Sequence, residues 1–292
     1  MKQCVQIWVN YETKFKFPEG LLEPIQVKNL AETDQVSRRE FVKMAGAALG
    51  GLAIGAIGGY SLIPPKETIV TNNVPLEVPD HPWTYTKLNV EAVKARAYNA
   101  YFQGGCSYAV FEGIIGELRE QVGHPYTAIP TRMATFGSGG IKGWGTTCGT
   151  LIGGGMAVTT VSTGAVLNDM MGWYTETALP NYVPATATKV EGDIPKSVAE
   201  APLCHASVTN WCNASGFSEN DPERAERCGR LCADMAGKIV EMLNAEADGT
   251  YTQAFASPDS VIECGACHGK DGPVNNVFTQ MDCDTCHGDP HA

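Results

Sequence analysis

The sequence predicts a mainly α protein with an irregular C-terminal segment and few or no strands. Hydrophobic residues make up 43% of the 292 residues and charged residues 18%, which suits a packed globular protein. Val110, Ile114, Leu118 and Val122 recur at four-residue steps, as they do on one face of a helix. The run NDPE at residues 220–223 is typical of a helix start, with a capping residue before a proline.

Glycine and proline divide the chain into segments. Helices are predicted at residues 89–103, 106–122, 156–166 and 222–245. Gly104 and Gly105 separate the first two of these helices. A glycine-rich stretch at 141–155 precedes the third helix. Residues 180–203 contain four prolines and no periodicity, so we expect a long surface connection there.

The composition excludes several classes of protein. The 32 glycines have no three-residue period, which excludes a collagen-like chain. The net charge is -11 and no basic block occurs in the body, so we expect no binding to nucleic acid. Eleven cysteines are many for a cytosolic enzyme, and they are the main guide to function.

The N-terminal residues resemble a twin-arginine export signal. Arg38 and Arg39 are followed by Phe41, Lys43 and an uncharged, glycine-rich run at 44–63. Such a signal predicts export to the periplasm, while a retained membrane anchor stays open as the alternative. The long stretch before the arginine pair indicates an over-long start. Its cysteine, Cys4, is therefore given no role.

Two C-x-x-C-H motifs near the C-terminus predict two covalently attached c-type haems. Their residues are Cys264, Cys267 and His268, and Cys283, Cys286 and His287. In this motif the two thiols add to the haem vinyl groups and the adjacent histidine is the proximal iron ligand. A zinc site or a thiol–disulfide motif does not require a histidine after the second cysteine in both copies. The short link between the motifs keeps the two haems close together.

The ligand on the distal side of each iron decides between electron transfer and substrate binding. Four histidines lie outside the haem motifs. His205 and His81 are the favoured distal ligands: His205 lies beside a cysteine, and His81 lies in an extended arm that opens the mature chain. His124 follows a helix end. His291 is the penultimate residue, where fraying is expected.

Six further cysteines lie between the export signal and the haem motifs. They are Cys106, Cys148, Cys204, Cys212, Cys228 and Cys232. Three disulfides are one interpretation for an exported protein. An iron–sulfur cluster on four of the six is the other, and a route that exports folded proteins with cofactors inserted favours it.

The ordered cysteine motifs resemble the C_GCAxxG_C_C redox family. They are GCSYAVF at 105–111, WGTTCG at 144–149, Cys212, and CGRL at 228–231. With two C-terminal haem motifs and His205 ahead of Cys212, the chain is similar to the split-Soret cytochromes c. The resemblance covers residues 80–290. Thr150 stands where the family pattern has a small alanine.

The resemblance implies a mostly helical homodimer with two stacked haems gathered at one end of each subunit. It implies bis-histidine ligation, with one distal histidine from the partner subunit. It also implies a [2Fe-2S] cluster on Cys106, Cys148, Cys212 and Cys228. Cys204 and Cys232 lie outside that pattern. Cys232 is one helical turn from Cys228, which leaves an exchange of ligand between them open.

These observations predict an exported, non-enzymatic electron carrier between redox partners. The predicted regions are an extension and signal at 1–64, a helical iron–sulfur domain at 65–250, and a dihaem segment at 251–292. A reductase of a small oxyanion or peroxide at an open haem is an alternative function. A redox subunit of a membrane-associated complex, anchored by residues 44–63, is a third.

Overall fold

Nearly all regular structure in the computed structural model, which describes residues 77–288, is helical. The α-helices are α1 (Val90–Val122), α2 (Ser138–Ile141), α3 (Gly149–Val161), α4 (Leu167–Glu176), α5 (Cys204–Ser215), α6 (Pro222–Ala247), α7 (Asp259–His268) and α8 (Asp284–His287). Two 3-10 helices, Tyr126–Ala128 and Thr131–Gly137, join α1 to α2. Residues 77–288 contain no strand, only the isolated bridges Thr147–Leu203 and Leu179–Ser197. The predicted mainly α class is confirmed.

Helix α1 is two helices joined at a kink, as the glycine pair predicts. Asn89 caps its start, and the side chain of this residue accepts a hydrogen bond from the Ala92 amide. Gly105 interrupts the helix with φ 79° and ψ -178°. A Cβ atom on Gly105 would lie 2.1 Å from Ser138 Oγ, so both conformation and space require glycine there.

The core lies where α1, α3 and α6 pack together. Ile114 and Leu118 of α1 and Leu231 and Ile239 of α6 belong to this core, and all four side chains are buried. Burial of each such side chain contributes about 1.5–3 kcal/mol. Helix α6 begins at Pro222, as predicted, although the carboxylate of the preceding Asp221 accepts from the Ser218 amide and not from the first helical turn.

Two predicted segments differ from the structure. The helix placed at 156–166 is α3, which begins at Gly149 and ends at Val161. Packing of Leu151 and Ala157 in the core outweighs the low helix propensity of the glycines between them. The surface connection at 180–203 is irregular as predicted, but it is only partly at the surface because Ile194 is buried.

A buried polar network holds this connection against α1 and α6. Tyr98 donates to Glu226, and the Thr188 amide donates to the Tyr98 hydroxyl at 2.7 Å. Glu226 also accepts from Arg230 and from the Lys189 amide. Burial opposes the charge on Glu226, but these donors outweigh it and lower its pKa below the ordinary value.

One carboxylate on α4 attaches the start of the C-terminal segment. Asp169 accepts from the amides of Ala254 and Phe255 and from the Tyr251 hydroxyl. Burial opposes the charge on Asp169, yet these bonds lower its pKa. Beyond this attachment α7 and α8 are short, and most side chains are exposed.

Several sequence-based predictions lie outside residues 77–288. They concern the twin-arginine signal, the 44–63 anchor, Cys4 and His291. No helix of the described residues is both long and apolar enough to cross a membrane. The region boundaries at 64 and 250 stay predictions.

Candidate functional site

Each C-x-x-C-H motif closes a short helix in the C-terminal segment. Helix α7 ends at His268 and α8 ends at His287. The two cysteines of each motif are three residues apart, so a helical turn places them on the same side. The local fold therefore places the two cysteines of each motif close together.

Both motifs line the same cavity, whose volume is about 560 Å³. Its lining includes Cys264, His268, Cys283, Cys286 and His287, whereas the remaining motif cysteine, Cys267, is not among the lining residues. Val261, Val277, Phe278 and Met281 supply apolar surface. Thiols, imidazoles and apolar walls around one space are the chemistry that covalently held haem requires, so these residues fit the group.

Ser260 at the start of α7 links the two motifs. Its hydroxyl donates to Asp282 at 2.6 Å and accepts from the Cys283 amide at 2.9 Å. This link brings Cys283 close to Cys264. Loss of solvent contact and the neighbouring Cys283 thiol raise the pKa of Cys264.

His268 is oriented by Asn276. The two are joined by a 2.9 Å contact between His268 Nδ1 and Asn276 Oδ1, in which the ring N–H donates to the amide oxygen. The Asn276 amide donates in return to the His268 carbonyl. This tautomer leaves Nε2 of the ring with the lone pair that binds a metal, a common arrangement for ligating histidines. Nothing in the C-x-x-C-H pattern indicates a role for Asn276.

The favoured distal histidines lie elsewhere on the chain. His205 is exposed, its amide donates to the Gly145 carbonyl, and the exposed Trp144 precedes that glycine. His81 is also exposed and stacks on Trp83 with 4.6 Å between ring centroids. In the described part of the chain, the lining of the haem cavity includes neither histidine. His124 Nε2 lies 2.9 Å from the Glu77 carbonyl.

A second group of cysteines, which we name the thiol cluster, lies where α1, α3, α5 and α6 meet. Its members are Cys106, Cys148, Cys204, Cys228 and Cys232. The Cys232 thiol donates to the Cys106 carbonyl at 3.8 Å. None of the ten cysteines in residues 77–288 forms a disulfide. The described structure therefore does not contain the predicted alternative of three disulfides.

Gly149 allows α1 and α3 to approach at this cluster. A Cβ atom on Gly149 would lie 2.3 Å from Cys106 Sγ, so only glycine leaves room for that sulfur. Cys148, the residue before it, is the N-cap of α3. The N-terminus of a helix favours negative charge, including that of a thiolate.

The thiols of the cluster influence one another. Burial raises the pKa of the Cys106 thiol, and nearby Cys148, Cys228 and Cys204 raise it further. Burial, together with the neighbouring Cys148 and Cys228 thiols, raises the pKa of Cys204 to about 12. In the absence of a metal ion the raised pKa values keep Cys106 and Cys204 neutral at physiological pH, so metal binding must release their protons.

Arg227 Nε, beside the cluster, is buried and has no hydrogen-bond partner among the described residues. The other Arg227 nitrogens lie 3.8 Å from Cys228 Sγ and 2.7 Å from Ser207 Oγ. A charge on Cys148 would raise the pKa of Tyr174 beyond the effect of burial. A buried, unused donor beside the thiols fits a group that brings its own sulfur acceptors, as an iron–sulfur cluster does.

Cys212 is not part of the thiol cluster. It lies eight residues after Cys204 on α5, and the rise of 1.5 Å per residue separates them by about 12 Å. No set of three or more His, Cys, Asp or Glu side chains in residues 77–288 surrounds one metal-ion position. A two-iron cluster does not need three protein ligands around one metal position, because each of its two irons binds two thiolates.

Comparison with known proteins gives three findings. The family model described as "Putative redox-active protein (C_GCAxxG_C_C)" matches residues 105–242. A split-Soret cytochrome c of Desulfovibrio desulfuricans is 36% identical over 218 residues, covering 70% of this chain and 77% of the relative. A solved structure described as "A novel iron centre in the split-Soret cytochrome c from Desulfovibrio desulfuricans ATCC 27774" is 35% identical. It matches with a TM-score of 0.68, over 70% of this chain and 90% of that one.

Proposed function

Because this chain belongs to the split-Soret cytochrome c family, we propose that it carries electrons between redox partners through two haems and an iron–sulfur cluster. Family membership establishes a redox protein of electron transport that contains haem and iron. The number of haems and the presence of the cluster are the proposal. The observation that carries it is the single cavity lined by both C-x-x-C-H motifs.

In this proposal the C-terminal segment holds both haems. Cys264 and Cys267 attach one haem, and Cys283 and Cys286 attach the other. His268 and His287 bind the two irons, and Asn276 keeps the His268 ring in the metal-binding tautomer. Bound haem supplies a one-electron iron couple. The link through Ser260 keeps the two attachment sites adjacent, which favours rapid transfer between them.

The distal ligands saturate both irons in the proposed carrier. His205 and His81 are the proposed distal ligands, and both are exposed on the subunit surface. An exposed histidine that does not line its own subunit's haem cavity is suited to reach the cavity of another subunit. We therefore retain a homodimer in which a distal histidine comes from the partner.

The thiol cluster provides the third redox centre. Cys106, Cys148 and Cys228 are proposed ligands of a [2Fe-2S] cluster, and a fourth cysteine is needed; Cys212 is only the one that the family resemblance implies. Bound iron and sulfide supply a further one-electron couple. The Arg227 guanidinium is 2% exposed and compensates part of the negative charge that thiolates would bring into the core.

The proposed location is the periplasm, reached by the twin-arginine route. Residues 37–43, SRREFVK, carry this part of the proposal, because that route exports proteins already folded around their cofactors. Haem would be attached after transport, and the redox partners would be met in the same compartment.

Low-temperature EPR of the exported protein tests this function, as isolated and after reduction with dithionite. We expect low-spin ferric haem signals alone in the oxidised protein and a new rhombic signal after reduction. A high-spin ferric signal, together with loss of a reductase activity in cyanide, would instead support an open haem that binds substrate. Recovery of the protein only in washed membranes would support an anchored subunit.

A further inference from the structure

We infer that Cys204, and not Cys212, is the fourth ligand of the proposed cluster, with Cys106, Cys148 and Cys228. The inference rests on the proposed function, because it concerns the ligands of that cluster. It follows from the path of the backbone around α5, and it departs from the cysteine pattern of the family resemblance.

The backbone fixes Cys204 beside Cys148. Thr147 and Leu203 form an antiparallel bridge, flanked by two hydrogen bonds. The Cys148 amide donates to the Pro202 carbonyl at 2.8 Å, and the Cys204 amide donates to the Thr146 carbonyl at 2.7 Å. Cys148 and Cys204 are therefore diagonal neighbours on the same face of the bridge. Such neighbours lie about 7–8 Å apart, within reach of two ligands of a binuclear cluster.

A second contact brings Cys228 to the same end of α5. The Arg227 guanidinium donates to Ser207 Oγ at 2.7 Å and lies 3.8 Å from Cys228 Sγ. Ser207 is three residues after Cys204, so both lie on one face of the first turn of α5. Cys148 and Cys228 thus approach α5 from two sides at the turn that carries Cys204.

Cys212 and Cys232 lie outside the proposed ligand set. Cys212 lies in the last turn of α5, where its carbonyl accepts from the Gly216 amide. Its neighbour Trp211 stacks on Phe217, with ring centroids 5.9 Å apart, at that end of the helix. Cys232 lies one turn beyond Cys228, and its thiol donates to the Cys106 carbonyl. We therefore leave Cys232, a buried residue, outside the ligand set.

The position of Cys204 also suits a thiolate. It is the first residue of α5, where the helix dipole favours negative charge. On binding, the Cys204 thiol releases its proton to solvent and its sulfur bonds to iron, without a change of oxidation state. The half-buried position of Cys204 leaves a path for that proton.

The test compares Cys204→Ala with Cys212→Ala, each exported and matured in the same host as the wild-type chain. The readouts are non-haem iron, acid-labile sulfide and the EPR signal of the dithionite-reduced protein. For Cys204→Ala we expect a loss of about tenfold or more in iron, sulfide and signal. For Cys212→Ala we expect values equal to wild type. The haem absorption of both variants shows that the chain has matured.

Cys204→Ser is a second, less disruptive variant. A serine oxygen in the ligand position either loses the cluster or shifts its g values, whereas Cys212→Ser leaves the wild-type spectrum. Loss of the cluster in Cys212→Ala with retention in Cys204→Ala would overturn the inference and leave the proposed function intact. Retention in both variants would also overturn it. Absence of cluster iron from the wild-type protein would overturn the cluster itself, without touching the haem proposal.

Discussion

The cysteines of the thiol cluster are buried or half-buried, whereas those of the C-terminal segment at 251–288, which we name the haem segment, are half-buried or exposed. Cys148 is 4% exposed and Cys232 is fully buried, both within a core of packed helices. In the haem segment Cys267 and Cys286 are exposed, and Phe278 has no burial at all at 104% relative exposure. The first site is built into the core of the fold. The second lies in a segment whose side chains are mostly exposed.

The two regions also differ in what holds them together. Helices α1, α3 and α6 share apolar side chains, so the thiol cluster is supported by hydrophobic burial on several sides. The haem segment depends on a few polar contacts, at Asp169 and Ser260. Bound haem would therefore contribute to the stability of the segment, whereas the proposed cluster would bind to a core that is already packed.

The largest effect is expected when haem attachment is abolished. Changing the four motif cysteines to alanine should leave residues 259–288 with little protection in hydrogen exchange, because few buried contacts hold them. Helices α1 and α6 should keep their protection. Cys212→Ala, which retains both haems, is the matched control. Unchanged protection of residues 259–288 without haem would contradict the comparison.

Ile239→Ala tests how much the packed core around the thiol cluster contributes to stability. Ile239 is fully buried in α6, and its truncation should lower the free energy of unfolding by about 2–5 kcal/mol. Ile262→Ala is the control: Ile262 is 63% exposed on α7, so a change within about 0.5 kcal/mol is expected. Chemical denaturation followed by far-UV circular dichroism measures both. Equal losses would show that the two regions share one core.

A smaller effect is expected at the attachment between the regions. Asp169→Asn should cost about 1–3 kcal/mol, because the amides of Ala254 and Phe255 and the Tyr251 hydroxyl lose a charged acceptor. The lowered pKa of Asp169 sets the pH dependence. Its contribution is complete above the unfolded-state pKa of about 4 and is lost as the pH falls through the lower folded-state pKa.

Thermal unfolding of wild type and Asp169→Asn between neutral and acidic pH measures this contribution. The difference in midpoint should be constant near neutrality and should shrink in acid. A difference independent of pH down to the most acid point would refute the role assigned to the Asp169 carboxylate.

The smallest effect is expected at Asn276. Loss of the acceptor in Asn276→Ala weakens the His268 ring as a donor to iron, so the reduction potential of that haem should rise. Asn276→Asp strengthens the same bond and should lower it. Spectroelectrochemistry of the two variants measures the shifts. If the reduction potential moved in the same direction in both variants, the hydrogen bond from His268 to Asn276 would not control the iron.

The sequence predicts the two regions unequally well. The kink at Gly105 and the start of α6 at Pro222 follow from local chemistry, and both predictions are confirmed. Helix α5 was not predicted, because its start at Cys204 depends on a bridge to Thr147 far away in sequence. The place of Cys204 in the thiol cluster has the same origin. Spacing alone cannot reveal a contact made through the tertiary fold.

The haem motifs are the opposite case, because their chemistry is local and their residues are adjacent in sequence. The C-x-x-C-H pattern alone is sufficient to propose the ligands His268 and His287. It does not reveal the Asn276 contact, because that residue lies on an irregular loop after α7. It also leaves the distal histidines as predictions, since no contact within the described chain brings His205 or His81 to the haem cavity.

The central proposal, two haems and one cluster in an electron carrier, is tested most directly by counting electrons. Anaerobic coulometric reduction of the exported protein should take up about three electrons per chain, one for each haem and one for the cluster. Cyanide should leave the haem absorption unchanged throughout. Uptake of about two electrons per chain, or a haem that binds cyanide, would contradict the account.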